Sequence, residues 1–96
     1  MTTSIQNQQI LDYLKPYQPE WVGIFGSWAR GENKITSDID ILVKLSNPVS
    51  LLTFVQMEDE LSEKLATKID LVSEGSLTNE RLKKHIFQDL KLIYER

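Results

Sequence analysis

The apolar positions of this chain change period several times, and each change marks an element. Ile10, Leu11 and Leu14 recur at helical spacing in a polar stretch, with Ile5 less regular. They predict a helix from about Ser4 to Lys15, ended by Pro16 and Pro19. Trp21-Val22-Gly23-Ile24-Phe25 is aromatic and β-branched and runs into a glycine, so it reads as a strand. Ser27 is placed to cap a short helix through Arg30, with Gly31 as its left-handed stop. After a polar loop, Glu32 to Thr36, strict alternation returns from Asp38 to Leu45. Ile39, Ile41 and Val43 take one face, and Asp38, Asp40 and Leu42 the other. Leu51, Phe54, Val55, Leu61 and Leu65 predict a helix from Ser50 to Ala66, interrupted by Glu58, which can snorkel at its edge. Lys68 to Val72 is a short third strand. Thr78 caps a last helix with Glu80 in its first turn and Leu82, Ile86, Leu90 and Ile93 as its buried stripe.

This order predicts an α/β (α+β) domain: a small mixed β-sheet of three strands flanked by helices. The first two strands are joined too closely for a parallel crossover, so they are expected to run antiparallel. The 96 residues suit a single domain spanning 1–96, with no repeat, linker or low-complexity tract to divide it.

Candidate chemistry lies on the polar face of the second strand. Asp38 and Asp40 stand two apart, which puts both carboxylates on one side with Cα atoms ~6.5–7 Å apart. Such a pair repels itself unless a cation lies between. Asp70 is a third carboxylate inside an apolar strand, flanked by Ile69 and Leu71. A charge there must be exposed, paired or metal-bound. If strand three lies beside strand two, Asp70 completes an all-oxygen cluster suited to Mg²⁺ or Mn²⁺. Two such ions could clamp the attacking and leaving oxygens of a phosphoryl-type displacement. Gly26-Ser27 supplies the complement. Where a strand ends and a helix begins, backbone N–H groups can hold phosphate oxygens, and Gly26 allows close approach. Phosphate donors beside a carboxylate cluster describe a nucleoside-triphosphate site.

The set Gly26-Ser27, ten residues, Asp38-Ile39-Asp40, and the later strand residue Asp70 resembles the nucleotidyltransferase superfamily that includes DNA polymerase β. The fuller runs Gly26-Ser27-Trp28-Ala29-Arg30-Gly31 and Ser37-Asp38-Ile39-Asp40-Ile41-Leu42-Val43, with Lys68-Ile69-Asp70-Leu71-Val72 and the ending Leu92-Ile93-Tyr94-Glu95-Arg96, look like its minimal nucleotidyltransferases (MNT). The resemblance implies the polymerase β-like fold and an antitoxin paired with a helical HEPN ribonuclease toxin. It implies transfer of AMP from ATP to a toxin tyrosine. By position, Asp38 and Asp40 would hold both metals. Asp70 would hold the catalytic metal and favour deprotonation of the acceptor. Gly26 and Ser27 would hold the triphosphate, with Arg30 as an extra phosphate or partner contact. Two alternatives stand beside this one: an antitoxin acting only by binding, and an enzyme modifying a small molecule, which would need further structure for its acceptor.

Composition narrows the field further. A formal charge of −3 does not suit a general nucleic-acid binder, and the absence of cysteine excludes disulfides and thiolate metal sites. No apolar run reaches the roughly 18 residues that span a bilayer, and no signal pattern opens the chain, so a cytoplasmic location is expected. Ordinary readings suffice for the remaining residues. Trp21, Trp28 and Tyr94 are read as packing residues, and the lone His85 as a helix flank. The Glu32 to Thr36 loop has no assigned role.

Overall fold

The computed structural model of the chain describes residues 4–26, 29, 31 and 38–96. Its elements are helix α1 (Ser4–Leu14), strand β1 (Pro19–Phe25), strand β2 (Ile39–Leu45), helix α2 (Leu51–Leu65), strand β3 (Ile69–Ser73), helix α3 (Glu80–Asp89) and strand β4 (Lys91–Glu95). The strands form one mixed sheet in the order β3-β2-β1-β4. β1 is antiparallel to β2, as the short connection requires, and β2 is parallel to β3 across the α2 crossover.

One face of the sheet carries the main core. Val22 and Ile24 of β1, Ile39, Ile41 and Val43 of β2, and Ile69 and Leu71 of β3 meet Ile10 and Leu14 of α1 and Met57 and Leu61 of α2. Alternation in β2 thus works as expected. The buried stripe of α2 is slightly out of phase with the expected one. Leu51 and Val55 are 79% and 45% exposed, and Met57, left out of the stripe, is fully buried. α2 begins where Ser50 Oγ accepts a hydrogen bond from the Thr53 N–H and ends on Ala66 in the left-handed conformation. At the surface, the Tyr13 hydroxyl donates to Glu60 at 2.6 Å, tying α1 to α2. Burial and that bond push the Tyr13 hydroxyl above the usual tyrosine range.

The second face carries α3, where the structure departs most from expectation. The last helix stops at Asp89, and Leu90 is already extended. Lys91–Glu95 is a fourth strand, paired antiparallel with the free edge of β1, and the Arg96 N–H donates to Glu20 at 2.8 Å. A helix continued through Ile93 would leave the backbone groups of that β1 edge without this pairing. Leu92-Ile93-Tyr94 also suits a strand. The cap is Asn79 rather than Thr78, its Oδ1 accepting from the Leu82 N–H at 3.1 Å, and Leu82 is 52% exposed. The helix docks through Phe87, edge-on to Trp21, and through Leu90 at its end.

Gly23 makes that docking possible. A Cβ at this position would lie 2.5 Å from Leu90 Cδ1 and 3.3 Å from the Lys91 carbonyl oxygen. Gly23→Val is therefore expected to lower stability by about 1–3 kcal/mol through overpacking, read as a lower urea midpoint. An unchanged midpoint would mean that Leu90 does not seat over Gly23.

Candidate functional site

The candidate site is built at one end of the sheet, where β1 finishes and β2 and β3 begin. β2 and β3 run in parallel with Ile39 beside Ile69 and Asp40 beside Asp70. Neighbouring strands lie ~4.8 Å apart, and residues directly opposite share a face. Asp40 and Asp70 therefore stand side by side, on the face opposite the α1/α2 core, and both are half-buried. Burial fixes the face: with Ile39 and Ile69 both in the core, the carboxylates between successive core residues share the opposite face, and the observed register sets them level.

The same register extends one residue outward. The Ile39 N–H donates to the Lys68 carbonyl at 3.0 Å, and the Lys68 Nζ lies 3.6 Å from Asp38 Oδ2. Asp38 is thus matched with a lysine, just as Asp40 is matched with Asp70. With Lys68 72% exposed, this ion pair is weak and readily exchanged. Sequence reasoning missed Lys68, although its spacing to Asp70 repeats that of Asp38 to Asp40.

Gly26 completes the described part. It ends β1 with φ +75°, next to Phe25, which pairs with Asp40. A Cβ on Gly26 would overlap Asp40 Oδ2. The turn therefore requires glycine twice, for its backbone angle and for the space the carboxylate occupies. Gly31 has φ +74°, the left-handed stop anticipated from the sequence, and Ala29 before it is helical and buried. Ser27, Trp28, Arg30 and the Glu32 to Thr36 loop lie outside the described residues.

Among the described residues, no three Asp, Glu, His or Cys side chains converge closely enough to hold an ion. The donor chemistry nevertheless fits a hard cation. Asp40 and Asp70 offer adjacent carboxylates in fixed register, and Asp38, one pleat away, is paired with an exposed lysine. A separate groove, lined by Val49, Leu51, Phe54 and Leu71, contains none of the candidate residues. Among the described residues no helix is long and apolar enough to cross a membrane.

Residues 8–96 match the family model described as "Polymerase beta, Nucleotidyltransferase". A Methanocaldococcus jannaschii protein with the provisional name protein adenylyltransferase MJ1217 is 46% identical over 74 residues, 77% of this chain and 76% of that one. The fold is also that of a crystallised toxin-antitoxin with AMP-PNP, with TM-score 0.84, 22% identity, and coverage of 94% of this chain and 73% of the other. It is likewise that of the MNT antitoxin in complex with tri-AMPylated Shewanella oneidensis HEPN toxin, with TM-score 0.78, 19% identity, and coverage of 96% and 71%.

Gly26→Ala is expected to cost about 1–3 kcal/mol from its left-handed backbone alone, with a further loss from displacing the Asp40 carboxylate. Urea unfolding measures the total loss. Amide shifts at Asp40 and Asp70 report displacement of the carboxylate. A variant with wild-type stability and unmoved shifts would contradict the packing described.

Proposed function

The chain belongs to the polymerase beta nucleotidyltransferase family, and from that membership we propose that it is a Mg²⁺-dependent protein adenylyltransferase. In this reading it moves AMP from ATP onto a tyrosine hydroxyl of a cognate HEPN ribonuclease toxin and so neutralises it. The observation that carries the reading is the register pairing of Asp40 with Asp70 beside a glycine turn that has been cleared for the Asp40 carboxylate. The similar protein named as an adenylyltransferase, and the AMPylated toxin seen with a structurally similar antitoxin, supply the substrate classes.

The chemistry is a displacement at phosphorus. The acceptor oxygen bonds to the α-phosphorus, the bond from that phosphorus to the bridging oxygen breaks, and pyrophosphate leaves. The acceptor proton passes to solvent water as its oxygen attacks. Asp40 and Asp70 would hold Mg²⁺, or Mn²⁺ in its place, and Asp38 would join them by exchanging Lys68 for the ions. When bound, the ions neutralise phosphate charge and polarise the reacting phosphoryl group. Gly26 gives phosphate oxygens close access to the backbone at the end of β1, and Ser27 and Arg30 are proposed as further phosphate contacts. Asp70, set by the β2 register, favours loss of the acceptor proton from a hydroxyl brought beside it.

The test is transfer of label from ATP to the co-purified toxin. The Asp38→Ala/Asp40→Ala double variant is expected to lose roughly a hundredfold or more of the rate, because metal-held charge contributes several kcal/mol in the transition state. It should keep its fold, since removing two carboxylates relieves their repulsion. A double variant that labels the toxin at the wild-type rate would overturn the assignment. So would a wild-type chain that never labels it.

A further inference from the structure

β3 is an edge strand of the sheet, and only one side of its backbone faces β2. The outer side is taken up by two α2 side chains four residues apart, which share a helical face. Glu58 Oε2 accepts from the Leu71 N–H at 2.8 Å. Ser62 Oγ accepts from the Ile69 N–H at 3.0 Å while donating to the Glu58 carbonyl at 2.9 Å. In a strand, alternate N–H groups face opposite edges, so the two held from outside are those on either side of Asp70. Asp70 itself sits in the β2 register, opposite Asp40.

We propose that Glu58 and Ser62 are positioning residues for Asp70: they fix the edge strand from the helix side and so hold the Asp70 carboxylate beside Asp40 at the spacing a divalent cation needs. The inference rests on the metal-site reading given above. Neither side chain belongs to the cluster. α2 packs on the core face, whereas Asp70 faces the other way, so any influence passes through the β3 backbone. A charged acceptor holds an amide more strongly than a neutral one, and Glu58 is half-buried, which strengthens the bond further. An edge strand without these two bonds would keep its β2 ladder and its buried Ile69 and Leu71 but would be held less firmly on its outer side, and the carboxylate pair would loosen with it.

The test uses Mn²⁺ as the probe, its affinity read by electron paramagnetic resonance on the free chain, with Leu71 amide exchange followed by NMR. Measurements are made well below each variant's melting temperature, so that the folded fraction is the same. Glu58→Met, which removes the acceptor, is expected to speed Leu71 exchange and weaken Mn²⁺ binding by about tenfold or more, as loss of a ligand-orienting partner does. Glu58→Gln keeps an acceptor oxygen and is expected to restore most of the affinity. Ser62→Ala provides the same test through Ile69 if Glu58→Met does not fold. Faster exchange with unchanged Mn²⁺ affinity in these variants would overturn the inference and leave the metal site standing. A wild-type chain that binds no Mn²⁺ would remove the metal-site reading and this inference together.

Discussion

Two carboxylates held side by side on neighbouring parallel strands are the constraint around which this molecule is arranged. Asp40 and Asp70 are set opposite one another by the alignment of Ile39 with Ile69 and of Ile41 with Leu71. All four of those residues are buried in the α1/α2 core. A slip of one residue would turn every core side chain of β3 to the wrong face, so hydrophobic burial keeps two like charges together. Apolar packing on one face thus brings two carboxylates together on the other, and in the proposed function a cation would lie against both.

The rest of the fold serves that arrangement. β1 runs antiparallel to β2, which brings Gly26 to the same end as Asp40, and its missing side chain leaves room for the carboxylate. β4 closes the far edge of β1, while α3 covers the second face through Trp21, Phe87 and Leu90. On the opposite edge, α2 reaches over the core to hold β3 through Glu58 and Ser62. Lys68 supplies positive charge beside Asp38 from an exposed position, close enough to pair and easily displaced. The chain belongs to the polymerase beta nucleotidyltransferase family, the proposed function puts that chemistry at this end of the sheet, and the relatives named as adenylyltransferases suggest what is transferred.

What was legible in the sequence was periodic. Alternation from Asp38 to Leu45 defined a strand with its carboxylates on one face, and an aspartate between Ile69 and Leu71 could only be exposed, paired or metal-bound. Gly26 and Gly31 were recognisable as turns because few other residues adopt their backbone angles. What was not legible depended on partners distant in the chain. Leu82, Ile86, Leu90 and Ile93 fit a helical period well, and only the open edge of β1 turns the last part of that run into a strand. Glu58 looked like an interruption in an apolar stripe. Its hydrogen bond to the Leu71 amide exists only once β3 lies beneath it. Lys68 likewise meets Asp38 only through the parallel register of β2 and β3.

The most direct measurement is a crystal structure of the chain with Mg²⁺ and a non-hydrolysable ATP analogue. The expected result has the triphosphate at the Gly26 turn, metal density against both Asp40 and Asp70, and the Asp38 carboxylate turned from Lys68 toward the ions. Nucleotide bound elsewhere, or bound at this turn with no metal touching Asp40 and Asp70, would contradict the site.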